Sequence, residues 1–248
     1  MAGAAVLGRL TWQAAEVLAA VQETSRVRTL ELEVPEWPGH RAGQHLDVRL
    51  TAEDGYQASR SYSIASAPGD PPAITVERLD DGEVSSYLVD EAVQGDRFEL
   101  RGPVGGYFVW EPGDGGPLLL VAGGSGIVPL MSMIRHRAAE RSSVPTRLLY
   151  SSRVLEDVIY REELERLAAV EDGLEVFHTL TREQPAGWRG YARRVDDELL
   201  EEIAWPAAQE PLVFVCGPTG FVEAVAGGLV RLGYAAERIR TERFGATG

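Results

Sequence analysis

The stretch Leu118–Leu130, LLLVAGGSGIVPL, decides the fold. Leu118–Ala122 is a continuous apolar run, the pattern of a strand buried on both faces in a parallel sheet. Gly123, Gly124, Ser125 and Gly126 follow at once, and Val128–Arg141, opening around Pro129, reads as a helix. Glycines let a backbone approach a pyrophosphate, and the amides at a helix start supply donors and a favourable dipole. A glycine-rich loop alone could be a plain tight turn. Its place between an apolar strand and a helix favours a nucleotide.

Toward the C-terminus the same rhythm repeats. Strands are expected at Thr146–Tyr150, Leu174–Thr179, Leu212–Cys216 and Ile239–Phe244, and helices at Arg161–Val170, Asp196–Ile203 and Phe221–Leu232. Strand–helix alternation implies a doubly wound parallel sheet with right-handed crossovers. Val215-Cys-Gly-Pro-Thr-Gly220 ends the fourth of these strands, and ligands of open parallel sheets bind at carboxyl ends. A buried cysteine there is equally well a small apolar residue.

Toward the N-terminus the rhythm differs. Val27–Val34, His45–Leu50, Ser59–Ala65, Ala73–Leu79 and Arg97–Leu100 read as short strands separated by turns, the signature of an antiparallel barrel. One helix, at about Ser85–Glu91, interrupts them after Asp81-Gly82. The turn-rich Glu111–Pro117, EPGDGGP, fits a hinge between two units.

Composition narrows the functions. A net charge of −14 argues against nucleic-acid binding, which usually needs a basic face. All 24 basic residues are arginine, a bias read as genomic composition rather than chemistry. No run of eighteen apolar residues is present, so no membrane span is expected. The first residues carry only Arg9 as a basic residue and no convincing cleavage site, so a cytoplasmic protein is expected. Cys216 is the one cysteine, which excludes an internal disulfide and any four-cysteine zinc or iron–sulfur site. His40, His45, His136 and His178 lack ligand spacing, so no metal site is expected.

Arg60-Ser-Tyr62-Ser63-Ile-Ala-Ser66 adds a third motif. An arginine fork suits a phosphate, a tyrosine stacks on a planar ring, and a serine hydroxyl can bond a ring nitrogen. By itself this is also an ordinary half-polar barrel strand.

Together these segments resemble the ferredoxin–NADP reductase superfamily over nearly the whole chain. The resemblance implies an antiparallel Greek-key FAD-binding β-barrel over residues 1–112 and a doubly wound NAD(P)H-binding α/β domain over 113–248. It implies that Arg60 holds the flavin phosphates, that Tyr62 packs on the isoalloxazine, that Ser63 bonds the N5 region and that Ser66 completes the motif. Gly82-Glu-Val84-Ser85 is similar to the family's second phosphate loop, with Asp81 where a second glycine is usual. The Ser85 hydroxyl and the amides of Val84 to Ser86 would serve there. Gly123, Gly124, Ser125, Gly126 and Pro129 match the dinucleotide pyrophosphate loop, with Ser125 in place of the commoner threonine. Cys216, Gly217 and Pro218 resemble the segment that places a cysteine beside the nicotinamide C4. Glu242-Arg-Phe244 matches the family's acidic residue near N5 and its ring-covering aromatic, although Gly245–Gly248 follow Phe244.

The implied reaction is hydride transfer from NAD(P)H to bound FAD, with Ser63, Cys216 and Glu242 around the reacting atoms, and then electron delivery to a separate acceptor. Ser152, Arg153 and Tyr160 are similar to the residues that surround the 2′-phosphate in NADP-using relatives. NADPH is therefore expected over NADH, although Glu156 and Asp157 lie close by. Since one cysteine cannot hold a cluster, the acceptor is expected to be a separate ferredoxin-like iron–sulfur protein. Arg9, Arg26, Arg28 and Arg41 would form its docking patch if they cluster. Two rivals stand beside this reading. One is a reductase that releases free reduced flavin; the other is an FAD electron-transfer subunit active only within a larger complex.

Overall fold

The computed structural model describes residues 10–170 and 173–244. Six antiparallel strands form the first unit: β1 (Gln13–Thr24), β2 (Val27–Glu33), β3 (His45–Thr51), β4 (Gln57–Ser63), β5 (Ala73–Glu77) and β6 (Arg97–Val104). Their spatial order is β4-β3-β6-β1-β2-β5. The two outer strands meet through an isolated bridge between Ile64 and Ile74, which brings the sheet round into a barrel. Ala15, Val17, Leu30, Leu32, Leu46, Val48, Ile74, Val76 and Leu100 fill the interior.

β1 is absent from the strands read in the sequence. Its QAAEVLAAVQET is rich in good helix formers. Yet it pairs with β2 on one side and β6 on the other, and Ala15 and Val17 turn inward with the alternation of a strand. Its place between two strands overrides its local preference. The helix expected at Ser85–Glu91 starts earlier, as the single turn α1 (Glu83–Ser86), and continues as a π-helical turn over Tyr87–Glu91.

The second unit is a five-stranded parallel sheet of β7 (Leu118–Gly123), β8 (Thr146–Ser152), β9 (Leu174–Leu180), β10 (Leu212–Pro218) and β11 (Ile239–Phe244), in the order β11-β10-β7-β8-β9. Side chains alternate across it. Leu118, Leu120 and Ala122 face one layer, with α2 (Ile127–Ala139) and α3 (Arg161–Val170). Leu119 and Val121 face the other, with α4 (Asp197–Ile203) and α5 (Thr219–Arg231). Winding reverses between β7 and β10, so the switch point lies at the glycine loop.

The two units share one core. Trp110, fully buried, packs with Ala42, Ala65 and Phe108 of the barrel side and Leu118, Met133 and Phe214 of the sheet. Phe108 meets Phe214 edge to face with centroids 5.2 Å apart. Polar ties cross the same seam. The Ser132 hydroxyl donates to Ser66 O (2.6 Å), Arg135 to Ala65 O (2.8 Å) and Arg240 to Val109 O (2.5 Å). The seam is therefore packed rather than hinged, despite the turn-rich 111–117. Among the described residues no helix is long and apolar enough to cross a membrane.

Candidate active site at the junction of the two sheets

Four residues from four strands meet where the barrel abuts the parallel sheet. Ser63 ends β4 and lies opposite His45 at the start of β3. Glu242 on β11 lies opposite Cys216 on β10. His45 Nδ1 and Glu242 Oε1 stand 3.9 Å apart across the junction. The chain Ser63–His45–Glu242–Cys216 is thus continuous from one unit to the other.

Electrostatics there are unusual. Ser63 Oγ and Glu242 Oε2 are buried and have no hydrogen-bond partner among the described residues. Burying such groups without partners is costly, so a ligand atom that satisfies them fits the site. Burial pushes the Glu242 carboxyl up to about 7 and pushes the Cys216 thiol up as well, with Glu242 adding to the latter. Cys216 therefore stays a neutral thiol. Burial lowers His45, partly opposed by Asp47.

The glycine loop is shaped by close approach. Gly126 sits where a Cβ would come within 2.1 Å of Cys216 O, so only glycine lets the loop after β7 touch the segment after β10. Phe221 presses on both Gly123 and Gly217, where a Cβ would meet its ring at 2.9 Å. Gly124 adopts a positive φ of 55°, and Ser125, half-buried, sits in the 3-10 turn that leads into α2, whose Pro129 is buried. Phe221 was not singled out from the sequence. It lies five residues beyond Cys216, among the apolar residues of α5, where nothing in the sequence sets it apart from a packing residue.

The barrel's phosphate candidates divide. Arg60 is exposed and, among the described residues, forms no ion pair and bonds only to Ser59 O (2.7 Å). Tyr62 is half-buried against the barrel core, and its hydroxyl makes no hydrogen bond to a described residue. At the second loop, Ser85 and Ser86 are turned inward. The Ser85 hydroxyl donates to Gly82 O (3.3 Å) and accepts from Leu79 N (3.2 Å), and the Ser86 hydroxyl donates to Leu79 O (3.3 Å). Gly82 must be glycine, because a Cβ would lie 2.3 Å from Ser85 Oγ. Ser86 N–H already donates to Gly82 O. The Ser85 hydroxyl and the Ser86 amide, expected to meet phosphate, are thus engaged within the loop itself.

Ser66 also has a structural job. Its hydroxyl accepts from Ala73 N (3.1 Å), while its carbonyl takes bonds from Ser132 and His40 (3.1 Å).

At the far end of β8, Ser152 Oγ is buried close to the Tyr150 hydroxyl, and the exposed Arg153 side chain pairs with no described residue. Tyr160 does not join them. It is buried with a positive φ of 58°, its hydroxyl donates to Thr75 of the barrel, and Arg135 lies over its ring at 4.8 Å. The expected 2′-phosphate contact from Tyr160 is therefore corrected to a domain-joining one. Phe244 lies opposite Pro218 at the end of β11, half-buried against the shared core.

Comparison with known proteins agrees with this layout. Residues 15–109 match the family described as oxidoreductase FAD-binding domain, and residues 120–227 match oxidoreductase NAD-binding domain. Ferredoxin–NADP reductase B of Sorangium cellulosum is 36% identical over 210 residues, covering 82% of this chain and 84% of that protein. The glycine betaine monooxygenase reductase subunit of Pseudomonas aeruginosa is 35% identical over 234 residues, 92% of this chain, which spans only 63% of that relative's length. The FAD/NAD-binding domain of nitric oxide dioxygenase from Vibrio cholerae superposes with a TM-score of 0.84 at 24% identity, covering 94% of this chain and 99% of that one, a likeness of fold. On these matches the chain belongs to the ferredoxin–NADP reductase superfamily of flavoprotein oxidoreductases, in its two-domain form of an FAD-binding and a NAD-binding domain.

Proposed function

We propose that this protein transfers hydride from NADPH to bound FAD and passes the electrons to a separate ferredoxin-type iron–sulfur protein, working in the cytoplasm. The observation that carries this reading is the continuous line Ser63–His45–Glu242–Cys216, which joins the flavin-motif strand to the end of β10 at the switch point. Bound FAD supplies a two-electron acceptor that can release electrons singly. The protein's share is alignment: Ser63 and Glu242 offer the unpaired oxygens, and Cys216 offers a neutral, buried wall beside them. Arg60 and the first amides of α1 would hold the diphosphate. We place the domain boundary in 111–117, with FAD on residues 1–112 and NAD(P)H on 113–248.

The preference for NADPH rests on Ser152 and Arg153 at the end of β8, where the Arg153 guanidinium pairs with no described residue. These residues hold one cysteine, Cys216, and so no cluster of their own, which supports an acceptor outside the two domains. The Pseudomonas relative, a monooxygenase reductase subunit, supports the same role. The test is turnover of the purified protein with NADPH and a ferredoxin, with the released cofactor identified chromatographically. Bound FAD and ferredoxin reduction support the proposal. A protein that holds only FMN, or that releases reduced flavin while failing with every iron–sulfur partner, overturns it.

A further inference from the structure

We propose that His45 is the proton partner of Glu242: the imidazole on β3 and the carboxyl on β11 share one proton across the junction of the two domains. The proposal deepens the functional reading above and rests on it for the purpose that the proton serves.

The chemistry creates the need. Oxidation of NADPH with single-electron delivery balances as NADPH → NADP⁺ + H⁺ + two electrons. If the electrons leave for an iron–sulfur protein, the proton must leave the junction by another route. A group that accepts it there must be close, polar and able to titrate near neutrality.

Only certain groups at the junction qualify. Ser63 does not titrate, and the Cys216 thiol is held neutral by burial. Glu242 and His45 remain, one from each domain, 3.9 Å apart and each about three-quarters buried, with side-chain exposures of 23% and 27%. That gap is longer than a hydrogen bond and is within the range of an ion pair. Among the described residues neither group forms an ion pair with any other side chain. Asp47, two residues along β3 from His45, is engaged by Arg101 on β6 (2.6 Å) and by Ser61 on β4 (2.6 Å). Arg243, beside Glu242 on β11, turns to Glu223 of α5 (2.6 Å). Arg240 on the same strand donates to Val109 O. Cys216 is the titratable neighbour on β10. Gly105, with a φ of 100°, brings bare backbone past the imidazole; a Cβ there would lie 3.5 Å from Nδ1.

Burial raises Glu242 and lowers His45, so it favours the neutral form of each, a carboxyl that can donate facing an imidazole that can accept. The balanced exchange is Glu242–COOH plus neutral His45 giving Glu242–COO⁻ plus protonated His45, with no change in total charge. Such a pair titrates as a unit. His45 is a positioning residue in this scheme: it sets when Glu242 carries its proton.

The test follows the four histidine side chains of the FAD-loaded protein by ¹⁵N-edited NMR between pH 5 and 8.5, with His45 assigned through His45→Gln. The Glu242 carboxylate should favour protonated His45. Removing the charge in Glu242→Gln should then lower the His45 midpoint by half a pH unit or more, Glu242→Asp should restore most of it, and His40, His136 and His178 should not move. In parallel, His45→Gln should shift the pH profile of NADPH-driven flavin bleaching, which loss of a mere packing contact would leave in place. A His45 midpoint equal in Glu242→Gln and wild type overturns the pairing, even if the protein turns over normally. Coupled midpoints in a protein that never oxidises NADPH would keep the pairing and remove the functional reading.

Discussion

At Glu242, burial sets a sign that can be measured. Its carboxyl is raised from the ordinary 4.5 to about 7, so the folded protein holds a proton there that the unfolded chain has lost between those values. Stability is full below about pH 4.5 and falls as the pH rises toward 7. The displacement corresponds to a loss on the order of 3 kcal/mol. His45, lowered from 6.5, contributes in the opposite sense, losing stability as the pH falls through its folded value. Glu242→Gln should therefore flatten the fall from pH 4.5 to 7 and be the more stable protein at pH 8. Urea unfolding of wild type and variant across that range checks this; parallel curves would contradict it. A second contrast concerns Arg153 and Tyr160. Arg153→Ala should lower kcat/KM for NADPH at least several-fold while leaving NADH nearly unchanged, since a charge-assisted contact is worth about 1.5–3 kcal/mol. Tyr160→Phe should leave the NADPH/NADH ratio alone and instead destabilise the protein by roughly 1 kcal/mol, through loss of the bond to Thr75. Equal ratios in Arg153→Ala and wild type would remove Arg153 from cofactor choice. Tyr160 shows what spacing cannot convey: sequence puts it near Arg153, and the positive φ at its own position turns it the other way.

Elements that carry their reason locally were legible in the sequence. β7, the glycine turn and α2 follow one another as the apolar run and Gly123–Gly126 require, and the four later strands fall within two residues of expectation. β1 was not legible, because its Ala, Glu and Leu are good helix formers and only pairing with β2 and β6 makes it a strand. The second phosphate loop was legible in place but not in detail, since sequence cannot say whether the Ser85 hydroxyl faces in or out. His45 was visible only as a histidine without metal-ligand spacing; its partner lies on a strand almost two hundred residues away. The glycine loop gives this scale its prediction. Gly126→Ala forces a methyl onto Cys216 O, so either loop must move. We expect a stability loss of roughly 1–3 kcal/mol together with slower reduction by NADPH, at unchanged FAD content. Thermal melts and rapid mixing check the two halves, and an unaffected rate would mean that the contact only supports the fold.

For the molecule as a whole, charge governs encounter. Two of the described arginines of the proposed docking patch are paired with acids. Arg26 pairs with Asp80 (2.9 Å), Arg28 donates to the carbonyls of Val89 and Ala92, and Arg41 pairs with Glu111 (2.9 Å). Arg9 lies outside the described residues. With a net charge of −14 and Arg26 and Arg41 paired, encounter with an acidic ferredoxin is opposed at long range. Raising salt from low to physiological strength should speed that reaction and leave an uncharged dye unaffected. A ferredoxin rate that falls with salt would place a basic docking surface elsewhere on the protein. The packed seam around Trp110 also bears on function, because it holds the nicotinamide side and the flavin side in fixed register instead of leaving alignment to a hinge.

Alignment of two rings at that seam is the central claim, and anaerobic rapid mixing of the purified protein with NADPH tests it most directly. The account predicts a yellow protein whose FAD absorbance bleaches in a single turnover. It also predicts that NADPH deuterated at C4 slows the bleaching and that Ser63→Ala slows it far more than it weakens FAD retention. FAD that stays oxidised under excess NADPH, or a colourless protein that cannot be reconstituted with FAD, would contradict it.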